Sequence, residues 1–257
     1  MAEKAETDVF PIDMGIACEV EHRGELHPLT ERKIRRGTSN FTKAAAMTRQ
    51  EVLTAILTGI DALRVLKEHG YRLFAVGEMG IGNTTTSSAV ASVLLQKDPE
   101  LVTGAGAGLD SAGLKRKTEA IRRGIGLHHP DPMDGMEVLQ KVGGFDLAAM
   151  AGAFLGGAIY HVPVVIDGVI AAAAAAAAGR IAPAATDYML AAHVSAEPAS
   201  IWLLDLIGVT PAIQAGLRLG EGTGALALFP LLDMALSIYR DMDTFAEMEI
   251  EEYKPLV

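Results

Sequence analysis

The chain has few cysteines and few aromatic residues, and it lacks an excess of positive charge. One cysteine in 257 residues, Cys18, excludes an internal disulfide and a site built from several thiolates, and the expected compartment is the cytoplasm. The formal net charge of −10 argues against a nucleic-acid partner, because nothing here would neutralise a phosphate backbone. A phosphate ligand must therefore be held by local backbone N–H groups or by a single lysine.

Long apolar runs are also scarce. The candidate membrane span, residues 147–166, contains His161 and Pro163 and is rich in Ala and Gly, so a buried helix followed by a strand explains it better. The acidic start of the chain has no apolar stretch, and we expect neither a signal peptide nor a membrane partner. The pair His128-His129 has no partners at metal-ligand spacing, and neither a metal nor a cofactor is expected.

Half of the residues are hydrophobic and 27 are glycines, which suits one α/β domain over residues 1–257 with close backbone packing. Strand patterns cover residues 9–16, 72–76, 162–166 and 188–194. Helix patterns cover residues 48–70, 84–96, 111–127, 146–160, 171–178, a stretch from about 197, and one that ends near 239. Alternation of this kind predicts a mostly parallel sheet with helices on both faces.

A glycine-rich loop, residues 77–86, leaves the second predicted strand and opens a helix. Gly77, Gly80 and Gly82 allow a ligand to approach the backbone, and Asn83 and Thr84 add side-chain donors at the helix N-terminus. The alternative is an ordinary tight turn in which a threonine caps the helix. No lysine follows the last glycine, so this is not a Walker loop, and it is a poor dinucleotide fingerprint.

Three further positions are candidates. Lys117 follows a second glycine-rich loop, residues 103–108, and could hold a phosphate, although a lone helical lysine is usually a solvated surface group. Ser195 lies in residues 193–197, at a strand end where α/β proteins bind ligands, or in a plain helix cap. Glu221, between Gly220 and Gly222, could press against a flat ligand in a partly apolar place and act as a general base. The alternative is a solvent-exposed turn carboxylate.

Taken together, these segments resemble the nicotinate-nucleotide:dimethylbenzimidazole phosphoribosyltransferase family of cobalamin biosynthesis. The most specific are Gly-Glu-Met-Gly-Ile-Gly-Asn-Thr-Thr at residues 77–85 and Leu-Gly-Glu-Gly-Thr-Gly at residues 219–224. The others stand in family order at residues 12–16, 36–41, 46–48, 141–147, 163–168 and 193–197. The match covers nearly the whole chain.

The resemblance implies a Rossmann-like parallel sheet with a smaller helical domain, in a homodimer. It implies transfer of phosphoribose from nicotinate mononucleotide to dimethylbenzimidazole, giving α-ribazole 5′-phosphate and nicotinate. By resemblance, Glu221 is the general base, and Asn83, Thr84 and Lys117 hold the phosphate. The ribose and base pocket would be lined by Glu78, Gly80, Ser195, Gly220 and Gly222.

One departure from the family affects this expectation. The chain lacks about the first hundred residues of the family pattern, which would carry much of the small domain and part of the pocket for the base. The nucleotide half of the site is therefore expected to be intact and the acceptor half incomplete. Three alternatives follow: a separate chain supplies the missing part, a different acceptor is used, or catalysis is lost and nucleotide binding remains.

Overall fold

Short parallel strands organise the chain. The computed structural model describes residues 1–20, 27, 29–106 and 108–251. Strands β1 (Ile12–Asp13) and β2 (Thr30–Glu31) pair in parallel, and β3 (Phe74–Val76), β4 (Val164–Ile166) and β5 (Met189–Ala191) form a separate parallel sheet in the order β3-β4-β5. All the strands of the second sheet therefore end at the same edge.

Helices surround this second sheet. In chain order they are α1 (Arg49–Glu68), α2 (Thr84–Leu95), α3 (Pro99–Val102), α4 (Ser111–His128), α5 (Gly135–Val142), α6 (Phe145–Tyr160), α7 (Val169–Ile181), α8 (Ser200–Leu206) and α9 (Thr223–Asp241). Two short 3-10 helices, Ala2–Ala5 and Pro183–Tyr188, complete the described secondary structure. The predicted helix starts at Thr48, Thr84 and Ser111 are confirmed within a residue.

The start of α1 shows why the sequence predicts this helix. The Thr48 Oγ1 accepts a hydrogen bond from the Glu51 N–H at 3.2 Å, and the Glu51 carboxylate accepts one from the Thr48 N–H at 2.7 Å. This is the capping box that the pattern indicates, and it satisfies two N–H groups that the first helical turn leaves without partners.

The sheet is covered on both faces. Val164 and Ile166 of β4 face the larger core, whereas Val165 faces a smaller core that includes Leu228 and Phe229 of α9. Small residues allow close helix packing in the larger core: a Cβ on Gly152 of α6 would lie 2.0 Å from the Ile56 carbonyl oxygen of α1. All eight alanines at residues 171–178 of α7 are buried. The predicted close packing is confirmed.

Several sequence predictions were wrong in extent. The predicted strand over residues 9–16 is reduced to β1, because the Asp13 carboxylate accepts the N–H groups of Gly15 and Ile16 at 2.8 Å and turns the chain. The predicted strand over residues 188–194 is reduced to β5. Helices α3 and α5 were not predicted, and β2 lies in a stretch expected to be loop, of which residues 21–26 and 28 fall outside the described residues. Across the described chain, every helix is too short or too polar to cross a membrane.

Candidate active site

The candidate site lies at the carboxyl edge of the second sheet. The glycine-rich loop follows β3, Asp167 follows β4, and Ser195 lies just beyond β5. In parallel α/β sheets, ligands bind at this edge because the loops leaving the strands meet there. Residues 220–222, which lead into α9, come to the same edge and complete the arrangement.

The turn at Glu221 packs directly on the glycine-rich loop. The Glu221 N–H donates to the Glu78 carbonyl oxygen at 2.9 Å. A Cβ on Gly77 would lie 2.2 Å from the Gly222 nitrogen, so only glycine permits this contact. Gly220, Glu221 and Gly222 all have left-handed backbone conformations, with φ values of 81°, 59° and 79°. The non-glycine in this run is Glu221, whose conformation is strained and is held by its neighbours.

The surroundings of Glu221 differ from the prediction. A partly apolar position between two glycines was expected, with a solvent-exposed turn carboxylate as the alternative, and the Glu221 side chain is exposed. The apolar side chains close to it in sequence or across the loop contact are also exposed: Met79 at 54%, Ile81 at 74% and Leu219 at 71%. The expectation was wrong because the turn faces outwards, and the described chain leaves this side of the site open.

The side chain of Lys117, a residue of α4, is buried and reaches the start of α2. It is 7% exposed, and its Nζ donates to the Thr84 Oγ1 and to the Gly104 carbonyl oxygen, both at 3.1 Å. Burial lowers the pKa of Lys117, and the Glu197 carboxylate partly opposes that change. The lysine is therefore not the solvated surface group of the alternative interpretation. An ammonium group beside a helix N-terminus is an arrangement that favours an anion.

Asn83 connects the glycine-rich loop to α6. Its Nδ2 donates to the Asp146 Oδ2 at 2.6 Å, while its Oδ1 is buried without a partner among the described residues. Burial raises the pKa of the Asp146 carboxyl group and that of the Glu78 carboxyl group. A hydrogen bond from Asn83 opposes the rise in both cases. The Glu78 carboxylate in turn accepts the Gly80 N–H. These contacts fix the loop conformation around the N-terminus of α2.

Asp167, which directly follows β4, caps the N-terminus of α9. The residue is 3% exposed, its Oδ2 accepts the Gly222 N–H at 3.1 Å, and its Oδ1 accepts the Ala225 N–H at 2.9 Å. Gly222 is the N-cap of α9 and has no side chain to do this. An anion placed at the positive end of a helix stabilises that end. The end of β4 therefore sets the position of the Glu221 turn.

Ser195 joins the site through its neighbours. It is 7% exposed, and its N–H donates to the Ser200 Oγ at 3.0 Å. The next residue, Ala196, donates its N–H to the Leu217 carbonyl oxygen at 3.3 Å. The segment beyond β5 is thus tied to the stretch that leads into the Glu221 turn.

The structure brings most of the predicted site residues into two adjoining groups. One contains the residues around the turn, namely Glu78, Gly80, Gly220, Glu221 and Gly222. The other contains Asn83, Thr84 and Lys117, and Ser195 reaches the first group through main-chain contacts. Sequence reasoning missed the link from Asn83 to Asp146, although the position of Asp146 in the first turn of a helix, two residues after Gly144, was a usable signal. The contacts of Asp167 with the start of α9 were not predicted either.

A parallel sheet with a glycine-rich loop, a buried lysine and a helix N-terminus at one edge defines an α/β protein in which the chemistry of that edge suits an anion. A family model described as phosphoribosyltransferase matches residues 1–250. The chain belongs to this phosphoribosyltransferase family, as the sequence resemblance predicted.

Named relatives agree with this assignment. The nicotinate-nucleotide–dimethylbenzimidazole phosphoribosyltransferase of Ruminiclostridium cellulolyticum is 45% identical over 256 residues, which are 100% of this chain and 72% of the relative. The enzyme of the same name from Clostridium acetobutylicum is 46% identical over 252 residues, which cover 98% of this chain and 70% of the relative. The crystal structure of CobT from Thermus thermophilus superposes with a TM-score of 0.89 at 39% identity, covering 98% of this chain and 74% of that one. The predicted α/β fold is confirmed.

Proposed function

We propose that this chain transfers phosphoribose from nicotinate mononucleotide to dimethylbenzimidazole or a similar base, giving α-ribazole 5′-phosphate and nicotinate. The observation that carries the proposal is the contact between the Glu221 turn and the glycine-rich loop, next to buried Lys117. One edge of the sheet thereby holds an anion-binding end and a carboxylate. The names of the relatives support the choice of substrates.

The phosphate of the mononucleotide would bind at the start of α2. There Lys117 provides a positive charge, Thr84 a hydroxyl group, and the helix N-terminus its free N–H groups. Asn83 would position the loop through its bond to Asp146. The ribose and nicotinate would extend towards Glu78, Ser195 and the glycines on either side of Glu221.

The transfer itself would proceed by displacement at C1′. A neutral benzimidazole nitrogen attacks C1′ from the face opposite nicotinate, the C1′–N bond to nicotinate breaks with its electron pair, and the β linkage becomes α. The attacking ring must also lose its N–H proton, which the Glu221 carboxylate accepts as general base. Holding the two reactants together contributes up to about 7–11 kcal/mol to the lowering of the barrier in favourable cases.

A second polypeptide surface would cover the acceptor side. Glu221, Met79, Ile81 and Leu219 are exposed there, and the second half of α9 exposes Ile238 at 60% and Tyr239 at 87%. Large exposed apolar areas mark interaction sites. A second copy of the chain, in a homodimer, is the partner we favour, and a separate chain that carries the remaining family segment is the alternative. The cytoplasm remains the compartment expected from cysteine usage.

The product assay tests the enzymatic proposal. The purified chain is incubated with nicotinate mononucleotide and dimethylbenzimidazole, and α-ribazole phosphate is sought by mass spectrometry. We expect product from the wild-type chain and strongly reduced product from Glu221→Gln. Equal product from both would contradict the assignment of the base.

The open acceptor side favours one further candidate, a nicotinate-mononucleotide-binding subunit without activity of its own. Calorimetry separates the two candidates. Tight binding without turnover, even with a candidate partner chain present, supports the subunit, whereas absence of mononucleotide binding contradicts both candidates.

A further inference from the structure

A buried histidine lies beneath the Glu221 turn. His193 is 4% exposed and forms an isolated parallel bridge with Ile213, just beyond β5. A Cβ on Gly224 would be 2.2 Å from both the Cδ2 and the Nε2 of its ring. The imidazole therefore fills the space between the end of β5 and the first turn of α9.

The ring of His193 faces one carboxylate. Its Nε2 lies 3.7 Å from the Asp167 Oδ1, which is an ion-pair distance and longer than a direct hydrogen bond. On α9 the ring meets Gly224, and the backbone of His193 pairs with Ile213; neither of these residues titrates. Within the described chain, Asp167 is thus the charged group that faces His193, and it raises the pKa of the imidazole.

Asp167 transmits the position of His193 to Glu221. Its two carboxylate oxygens hold the N–H groups of Gly222 and Ala225, and the N–H of Glu221 itself is held by the carbonyl oxygen of Glu78. The turn is therefore held by the glycine-rich loop at Glu221 and by Asp167 at Gly222 and Ala225. A buried carboxylate is costly without a compensating positive charge, and protonated His193 can supply that charge.

We propose that His193 is a positioning residue: through Asp167 it holds the Glu221 turn in place for proton transfer. The sign of the pH effect follows from the raised pKa. The attraction to Asp167 is fully present at low pH and is lost as the pH rises through the folded-state pKa of His193. Phosphate binding is unaffected, since Lys117 and Asn83 are held by other elements. The kinetic consequence rests on the proposed function, whereas the structural consequence does not.

Amide hydrogen exchange at Gly222 and Ala225 tests the structural part. His193→Gln retains an N–H donor close to the position of Nε2, His193→Leu retains none, and exposed His69→Gln is the matched control. We expect exchange at both amides to be at least about tenfold faster in His193→Leu than in wild type, intermediate in His193→Gln, which keeps a donor without the charge, and near wild type in His69→Gln. Unchanged exchange in His193→Leu would overturn the proposal.

If His193→Leu does not fold, a titration of the wild-type chain still tests the proposal. Its His193 is titrated by NMR while the protection of the Gly222 and Ala225 amides is followed, after correction for the intrinsic pH dependence of exchange. We expect protection to fall as the imidazole loses its proton, and we expect Asp167→Asn to lower the pKa of His193. Constant protection throughout the titration would contradict the proposal.

Steady-state kinetics test the catalytic consequence. In His193→Leu, kcat should fall by about tenfold while the KM for nicotinate mononucleotide stays nearly constant, and His193→Gln should recover only part of kcat because its donor is uncharged. A raised KM with unchanged kcat would contradict positioning of Glu221. If the wild-type chain forms no product, the proposed function fails, and the exchange data decide the positioning role by themselves.

Discussion

The two halves of the candidate site lie in different surroundings. At the phosphate end, Lys117 and Asn83 are 7% and 8% exposed, and their side chains hydrogen-bond to Thr84, Gly104 and Asp146. At the acceptor end, Glu221 is exposed among exposed apolar side chains. The donors of the proposed phosphate end are thus fixed by partners within the described chain, whereas the proposed acceptor end is exposed to solvent.

This difference matters because the two ends contribute differently to catalysis. A preorganised anion site functions in isolation, since its donors are already fixed by their own partners. A general base works best where water is excluded and its reactant is held in place. We therefore expect nucleotide binding to be robust in this chain, and transfer to depend on how the acceptor end is covered.

Loss of the base should give the largest effect. In Glu221→Gln, kcat should fall by about 10²–10⁴-fold because the proton of the attacking ring loses its acceptor. The KM for nicotinate mononucleotide should hardly change, since the phosphate end is intact. Steady-state kinetics measure both constants, and Glu249→Gln, another exposed glutamate with a left-handed backbone, is the control. A fall in kcat shared by the control would contradict the assignment.

Loss of the buried charge should give the next largest effect. Lys117→Met should weaken mononucleotide binding by about 2 kcal/mol, or about thirtyfold in Kd, because a charge-assisted hydrogen bond to phosphate is lost. Lys115→Met changes an exposed lysine of the same helix and should leave the affinity unchanged. Calorimetry compares the two, and equal affinities would show that Lys117 does not face the phosphate.

A methyl group at the contact between the glycine-rich loop and the Glu221 turn should destabilise the fold. Gly77→Ala places a Cβ 2.2 Å from the Gly222 nitrogen, so we expect a loss of about 1–3 kcal/mol of unfolding free energy from overpacking. Gly126→Ala is the control, because its added Cβ meets nothing within 4 Å. Thermal or urea unfolding measures both. Equal stability of the two variants would mean that the turn does not pack on the loop.

A charge at the exposed end of α9 should weaken self-association and leave nucleotide binding unchanged. Ile238→Glu should weaken a homodimer by about tenfold without altering mononucleotide affinity, because it places a charge in an apolar interface. Met133→Glu alters another exposed apolar residue and should not affect association. Sedimentation at several concentrations measures the effect, and a monomeric wild-type chain would refute the homodimer.

The pH dependence of mononucleotide affinity should give the smallest effect. Burial lowers the pKa of Lys117, so its charge is lost at a lower pH than for an ordinary lysine. Mononucleotide affinity should therefore fall as the pH rises through the alkaline range, and it should do so at a lower pH than the titration of an ordinary lysine would allow. Calorimetry across that range provides the check. An affinity that stays constant over this range would argue against the role of Lys117. So would a fall in affinity that disappears in Lys115→Met.

Local signals made much of the fold predictable. Thr48 and Glu51 marked the start of α1, and the glycine-rich loop before Thr84 placed both a strand end and a helix start. Each of these signals lies within a few residues of the structure that it specifies. The positions of Glu78, Asn83 and Glu221 at one edge followed from a parallel sheet together with the family resemblance.

Other features depend on contacts that no local pattern contains. The carboxylate of Asp167 holds amides 55 and 58 residues away, and Lys117 reaches Thr84 across 33 residues. The exposure of Glu221 depends on which way a strained turn faces, and the flanking glycines permit several directions. Tertiary packing decides these features, so the candidate residues could be identified from the sequence but their surroundings could not.

A calorimetric comparison of two ligands tests the central claim most directly, namely that the chain itself contains a complete phosphate end. Nicotinate mononucleotide and the riboside that lacks its phosphate are titrated into the wild-type chain and into Lys117→Met. We predict tight binding of the mononucleotide to the wild-type chain alone, and weak binding of the riboside to both. Equal binding of the two ligands, or no mononucleotide binding to the wild-type chain, would contradict the claim.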